Sequence, residues 1–290
     1  MNNINETSSE DSAAPNTTLH PWRRYVALGD SFTEGIGDVD AKSPGGYRGW
    51  ADRLAEQLSH GVDDFAYANL AIRGRLITQI FDEQAAPALE LKPDLISLCA
   101  GGNDVIRPGG DPDAIADKLD ALMRVLATSH ATILLFTGPD IRDTPVLGGI
   151  RGKVAIYNEN LRTIAARYDA VVADMWSLRD LHETRMWAPD RLHFSPTGHH
   201  TIASMALDAL NVPHNLEHVG PNDVEPKTWQ DARRDDFVWA RTHLAPWVLR
   251  RIRHRSSGDG ITAKRPLAIP FTEQPPNSSL GNGQAPFSGH

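Results

Sequence analysis

The sequence predicts an α/β fold on a parallel sheet of five strands. Two observations carry the prediction. Five short strand-like segments alternate with helical patterns between Tyr25 and Leu210, the signature of consecutive βαβ units. Three of the five are continuous apolar runs, as expected of strands covered by helices on both faces.

The elements follow in order. The first strand is Tyr25 to Leu28, closed by Gly29. A helix covers Trp50 to Leu58, with Trp50, Leu54 and Leu58 spaced by four. The second strand spans Phe65 to Leu70. A helix runs from about Leu76 to Leu89, its end disturbed by Pro87. The third strand is Leu95 to Cys99. The next helix starts at Asp111-Pro112, an N-cap aspartate before a proline at the first helical position; Ile115, Leu119, Leu122 and Leu126 form its apolar stripe. The fourth strand, Thr132 to Phe136, is rich in β-branched residues. A helix at Lys153 to Arg167, a fifth strand at Ala170 to Ala173 and a helix after Ser195-Pro196 complete the pattern. This divides the chain into a disordered lead (1–21), one α/β domain (22–212), a C-terminal helical extension (213–255) and a mostly irregular tail (256–290).

Composition narrows the class. The 290 residues are 40% apolar and 23% charged, values of a soluble globular protein. A formal net charge of −8 disfavours a nucleic-acid partner. The single cysteine, Cys99, excludes an intramolecular disulfide framework and a multi-thiolate zinc site, and reads as a small buried hydrophobe. The polar, acidic N-terminus has no basic or apolar segment of a signal peptide, and no apolar run reaches the ~18 residues of a membrane span. A cytoplasmic location is the expectation.

In an open parallel sheet, ligands bind outside the carboxyl ends of the strands. Gly29-Asp30-Ser31-Phe32 follows the first strand and Asn69-Leu70-Ala71-Ile72-Arg73-Gly74 the second. Gly101-Gly102-Asn103-Asp104 follows the third, and Asp190-Arg191-Leu192-His193 lies between the fifth strand and the last helix. Together they supply what acyl transfer requires. A serine hydroxyl, Ser31, is a weak nucleophile and needs a base. His193 can be that base, since imidazole is the side chain suited to accept and return a proton, and Asp190, three residues earlier, can fold back to orient it. The Ser31 and Gly74 backbone N–H groups and the Asn103 amide can hold an oxyanion.

With these four blocks in this order, the sequence resembles the SGNH (GDSL-type) hydrolases, serine esterases and lipases on a flavodoxin-like three-layer α/β/α fold. The resemblance covers roughly Tyr25 to Leu210. It implies Ser31 as nucleophile, His193 as base, Asp190 as its acid partner, and Ser31, Gly74 and Asn103 as the oxyanion hole. Phe32 stands where the family's usual motif has leucine. The Arg-rich C-terminal stretch is similar to extensions of actinobacterial members. The implied reaction is hydrolysis of a carboxylic ester, or of a thioester, with a small-molecule acyl substrate and no cofactor or metal. Two other readings are a lipid- or glycan-binding module on the same fold and an acyltransferase to an alcohol.

Each block also has a plainer reading. Ser31 alone reads as a helix N-cap, Asn103-Asp104 and Asp190 as turn residues, and His193 as a surface histidine; all four together need four coincidences. His193, His199 and His200 invite a metal, but no carboxylate partner accompanies them. No GxxxxGK loop is present, which disfavours nucleotide hydrolysis, and no GxSxG elbow surrounds Ser31. Trp229 to Arg255 keeps a helical period interrupted by Pro246. Its basic end, Leu249 to Arg255, suits weak contact with an anionic membrane surface or an acyl-CoA phosphate; the favoured reading is a helix pair anchored on the core by Trp229, Trp239 and Trp247. Tyr47, Trp50, Asp140, Trp176, Met186 and Trp187 fall near the active edge and are candidates to line a substrate pocket.

Overall fold

A computed structural model describes residues 20–144, 147–217, 219 and 257–271. Most of the predicted lead, nearly all of the C-terminal extension including Leu249 to Arg255, and the end of the tail lie outside the described residues.

The five expected strands are present: β1 (Arg24–Gly29), β2 (Ala66–Asn69), β3 (Leu95–Cys99), β4 (Thr132–Phe136) and β5 (Val171–Ala173). All pair in parallel, in the order β5-β4-β3-β1-β2. A sixth strand, β6 (Arg265–Pro270), extends the sheet antiparallel to β2. It lies in the stretch that reads as mostly irregular in the sequence, because two of its six residues are prolines.

The helices are α1 (Ser31–Glu34), α2 (Gly49–Ser59), α3 (Ile77–Ile80), α4 (Ala86–Glu90), α5 (Gly102–Ile106), α6 (Pro112–Leu126), α7 (Arg151–Arg167) and α8 (Pro196–Ala209). The Asp111 side chain accepts from Asp113 N–H, so the predicted cap forms, and the Ser195 side chain accepts from Gly198 N–H and caps α8 in the same way. Between α3 and α4 the helix widens into a π turn at Phe81–Ala85, just before Pro87. A proline clashes with the carbonyl four residues earlier, and a π turn relieves it.

The sheet has a core on each face. One holds Trp50, Leu54 and Leu58 of α2 with Ile202, Ala206 and Leu207 of α8. The other holds Ile77, Ile80, the α6 stripe of Ile115, Leu119, Leu122 and Leu126, and Leu161 and Ile164 of α7. The chain leaving β1 therefore turns to one face and the chain leaving β3 to the other. These neighbouring strands form the topological switch point, where a crevice opens at the carboxyl ends. Among the described residues no helix is long and apolar enough to cross a membrane.

Candidate active site

The crevice is built first by glycine. A Cβ on Gly29 would sit 2.7 Å from the Cys99 carbonyl oxygen and 2.5 Å from Thr33 Oγ1, at φ 151°. Only glycine lets β1 turn this tightly against β3. Asp30 follows as the α1 N-cap, its Oδ1 accepting from Phe32 N–H at 3.1 Å. Ser31 is thus the first residue of α1, and its N–H has no intrahelical acceptor.

His193 reaches this serine from the loop before α8. The isolated bridge between Trp187 and Phe194 and the bond from Ala188 N–H to the His193 carbonyl (2.8 Å) fold that loop into a narrow hairpin. Arg191 takes a left-handed φ of 55° at its tip. His193 Nε2 lies 3.1 Å from Ser31 Oγ, and Nδ1 lies 2.6 Å from Asp190 Oδ2. Asp190 Oδ1 accepts the N–H groups of Leu192 and His193, each at 3.0 Å. Partial burial pushes the Asp190 carboxyl up, but the hydrogen bond and charge of His193 and the two N–H groups outweigh it and hold it at about 2.

Asn103 approaches from the β3 side. Gly101 caps α5 at φ 90°, and a Cβ there would meet the Tyr157 hydroxyl at 2.4 Å. The Asn103 amide donates to Asp30 Oδ2 at 2.7 Å and to the Arg75 carbonyl at 3.2 Å. Burial first raises the Asp30 carboxyl to about 6, against the opposing pull of Phe32 N–H, the His193 charge and Asn103. Asp104 Oδ2 accepts from Ile77 N–H, joining α5 to α3. Gly74, at φ 74°, occupies the turn between Ile72 and Arg75 on the loop after β2.

Ser31, His193 and Asn103 open onto a cavity of about 190 Å³, walled by Phe136, Ile141, Leu147, Ile150, Val154 and Trp187 among others. Of the candidate pocket residues only Trp187 lies in this wall. Trp50 is fully buried core, stacked on Phe32 and packed on Phe136. Met186 is also core. Tyr47 lies under the Arg73 guanidinium and Trp176 under that of Arg151. Asp140 lines a second pocket of about 200 Å³ with His182, Arg191 and Trp187. The hydrogen bond of Arg151 (2.6 Å) holds the Asp140 carboxyl near 2 against partial burial.

His199 is a structural histidine. It is fully buried in α8, and burial pushes it down to about 4. It accepts from Trp50 N–H through Nδ1 and donates from Nε2 to the Ile36 carbonyl. Among the described residues no group of three or more His, Cys, Asp and Glu is placed to hold a metal ion. Sequence reasoning did not single out Asp30 as more than part of a block, and its signal was there: a capping residue directly before the serine.

Fold and site together define a class, the hydrolases of the serine esterase and lipase type. The chain belongs to the GDSL-like Lipase/Acylhydrolase family, whose sequence pattern matches residues 27–201, more than half of its length. No curated protein matches it in sequence. Among solved structures it is similar to Axe2, an acetylxylan esterase from Geobacillus stearothermophilus (18% identity, TM-score 0.53, covering 68% of this chain and 97% of that one). It is also similar to the psychrotrophic esterase EstA from Pseudoalteromonas sp. (16%, 0.52, 65% and 97%). A member of the lipolytic G-D-S-L family from Veillonella parvula matches likewise (20%, 0.52, 63% and 96%). At these identities the likeness is one of fold. The actinobacterial likeness of the C-terminal extension finds no support among the matches.

Proposed function

We propose that the protein hydrolyses carboxylic esters through an acyl-enzyme on Ser31. The observation that carries this reading is the continuous Ser31–His193–Asp190 hydrogen-bond chain, at 3.1 and 2.6 Å, at the mouth of an apolar cavity. Ser31 Oγ attacks the acyl carbon while His193 Nε2 takes its proton. The Asp190 carboxylate holds the imidazole in the tautomer with hydrogen on Nδ1 and stabilises the imidazolium that forms. In this reading the Ser31 and Gly74 N–H groups and the Asn103 amide serve as donors to the developing oxyanion. Asn103 is held in orientation by Asp30, and the oxyanion shares its longer, 3.2 Å bond to Arg75. His193 then gives its proton to the departing alcohol, and water activated by the same imidazole releases the acid.

The apolar wall suits the acyl chain. Thioesters of the same acids fall within the same chemistry, since attack and oxyanion are unchanged. The test is labelling by a fluorophosphonate, scored beside hydrolysis of p-nitrophenyl esters and acyl-CoAs. Wild-type protein labels and turns over, whereas Ser31→Ala does neither. Equal labelling of the two proteins overturns the reading.

A further inference from the structure

The chain beyond the family's matched region returns to the site from behind. Residues 257–260 form a turn, and β6 follows it. Gly258 is buried in that turn, and a Cβ on it would lie 2.2 Å from the Arg73 carbonyl oxygen and 2.8 Å from Ile72 Cγ2. Its backbone is not left-handed, so glycine is required here by contact rather than by conformation. The next residue, Asp259, places Oδ1 3.5 Å from Arg75 Nη1. The turn is therefore seated directly on residues 72–75, the loop that carries Gly74.

That loop is tied to several neighbouring elements. Its closing bond, Arg75 N–H to the Ile72 carbonyl, is 3.4 Å long. Its fixed points are external. On one side Arg73 N–H and guanidinium bind Glu34 of α1, the helix Ser31 opens. On the other, the Arg75 carbonyl accepts from Asn103. Ile72 N–H also donates to the Gly29 carbonyl at 3.3 Å, and Arg75 Nε to Glu83 at 2.8 Å. The turn adds a further support, which is itself anchored. Lys264 Nζ donates to the Tyr47 and Arg48 carbonyls, each at 3.0 Å, and pairs with Asp52. Arg265 Nε also reaches Asp52, at 3.1 Å, and β6 pairs with β2.

We propose that the turn at residues 257–260, held by β6, is a brace that sets the position of the Gly74 loop, with Gly258 and Asp259 as positioning residues for the oxyanion hole. This rests on Gly74 and Asn103 serving as oxyanion donors. A donor displaced by a fraction of an ångström serves the ground state nearly as well but the transition state much less, so the loss falls on kcat. The catalytic unit accordingly extends past residue 212 into the tail.

The test uses point variants of the full chain. Gly258→Ala and then Gly258→Val push the turn off the Arg73 carbonyl by increasing amounts. The expected result is a graded fall in kcat, about tenfold or more, with KM within about twofold. A trifluoromethyl ketone, which forms a hemiketal oxyanion on Ser31, weakens by the same factor as kcat. Leu210→Ala, in the core at the far end of α8, is the control for lost stability: measured below its unfolding midpoint it keeps wild-type kcat and inhibitor affinity. An unchanged kcat in Gly258→Val, or a fall in kcat without weaker ketone binding, overturns the brace. Full activity in Ser31→Ala instead overturns the reading of the site on which the brace rests.

Discussion

The Asp30 carboxylate accepts the Asn103 side-chain amide at 2.7 Å while capping the helix that Ser31 opens. One carboxylate thereby ties the loop after β1 to the loop after β3 across the switch point. The serine and the amide cannot move independently of each other.

On the proposed mechanism Asn103→Ala removes one oxyanion donor, and it takes from Asp30 the amide that donates to Oδ2. We expect kcat to fall by about 10²–10³ with little change in KM. Steady-state kinetics on one ester checks this, and an unchanged kcat removes Asn103 from the mechanism.

Asp30 links stability to pH. Its carboxyl is raised from 3.8 to about 6 in the fold, so the folded state prefers the protonated form. The stability this confers is fully present below pH 3.8 and is lost as pH rises through about 6. Asp30→Asn lacks this loss. Its Tm relative to wild type therefore rises between about pH 4 and pH 6, by an amount worth up to about 3 kcal/mol. A constant Tm difference across that window contradicts the assignment.

Asp190 runs the other way. Held at about 2, it stabilises the fold above pH 3.8, and that contribution is lost as pH falls through about 2. It stays ionised at neutral pH, as an imidazole-orienting group must. Asp190→Asn keeps the shape of the loop but favours the wrong tautomer, and kcat falls by about 10³–10⁴. A loss below tenfold shows that His193 does not depend on it.

The cavity sets a chain-length preference. A dry cavity of about 150 Å³ lined by aliphatic and aromatic side chains holds a benzene ring. The 190 Å³ beside Ser31 then accommodates an acyl chain of about six to eight carbons. kcat/KM is expected to rise about fourfold per methylene up to that length and then level off. Val154→Trp, in the cavity wall, moves the maximum to shorter chains. An acetyl ester hydrolysed as well as an octanoyl ester refutes the preference.

Lys264 and Asp52, each 3% exposed, are a buried ion pair. Lys264→Met strands the Asp52 charge with only Arg265, and costs about 3–5 kcal/mol of stability. Denaturant unfolding measures it; a change below 1 kcal/mol means that Arg265 suffices.

Much of this architecture is legible in the sequence. β3 and β4 coincide with their apolar runs, and α6 and α8 begin at their capping residues, because strand and cap signals are local. The order of the four blocks brought Ser31, Asp190, His193 and Asn103 to one edge. What escapes is whatever depends on side-chain direction or distant pairing. Trp50 is near the edge in sequence, but its position on α2 turns it into the core against Phe136. β6 pairs with a strand some 200 residues earlier, and its prolines mask it. The cavity wall at Leu147, Ile150 and Val154 comes from a loop and helix with no motif.

The prolines of β6 act on the outside of the molecule as well. An edge strand presents unpaired N–H and C=O groups, a template for another chain. Among the described residues β6 is the outermost strand on its side, and Pro266 and Pro270 take two donors from it, so a further strand cannot zip along its full length. Without β6 the outermost strand on that side would be β2, whose Ala-Tyr-Ala-Asn offers an unbroken run of donors. The same short segment that steadies the Gly74 loop guards the sheet against self-association.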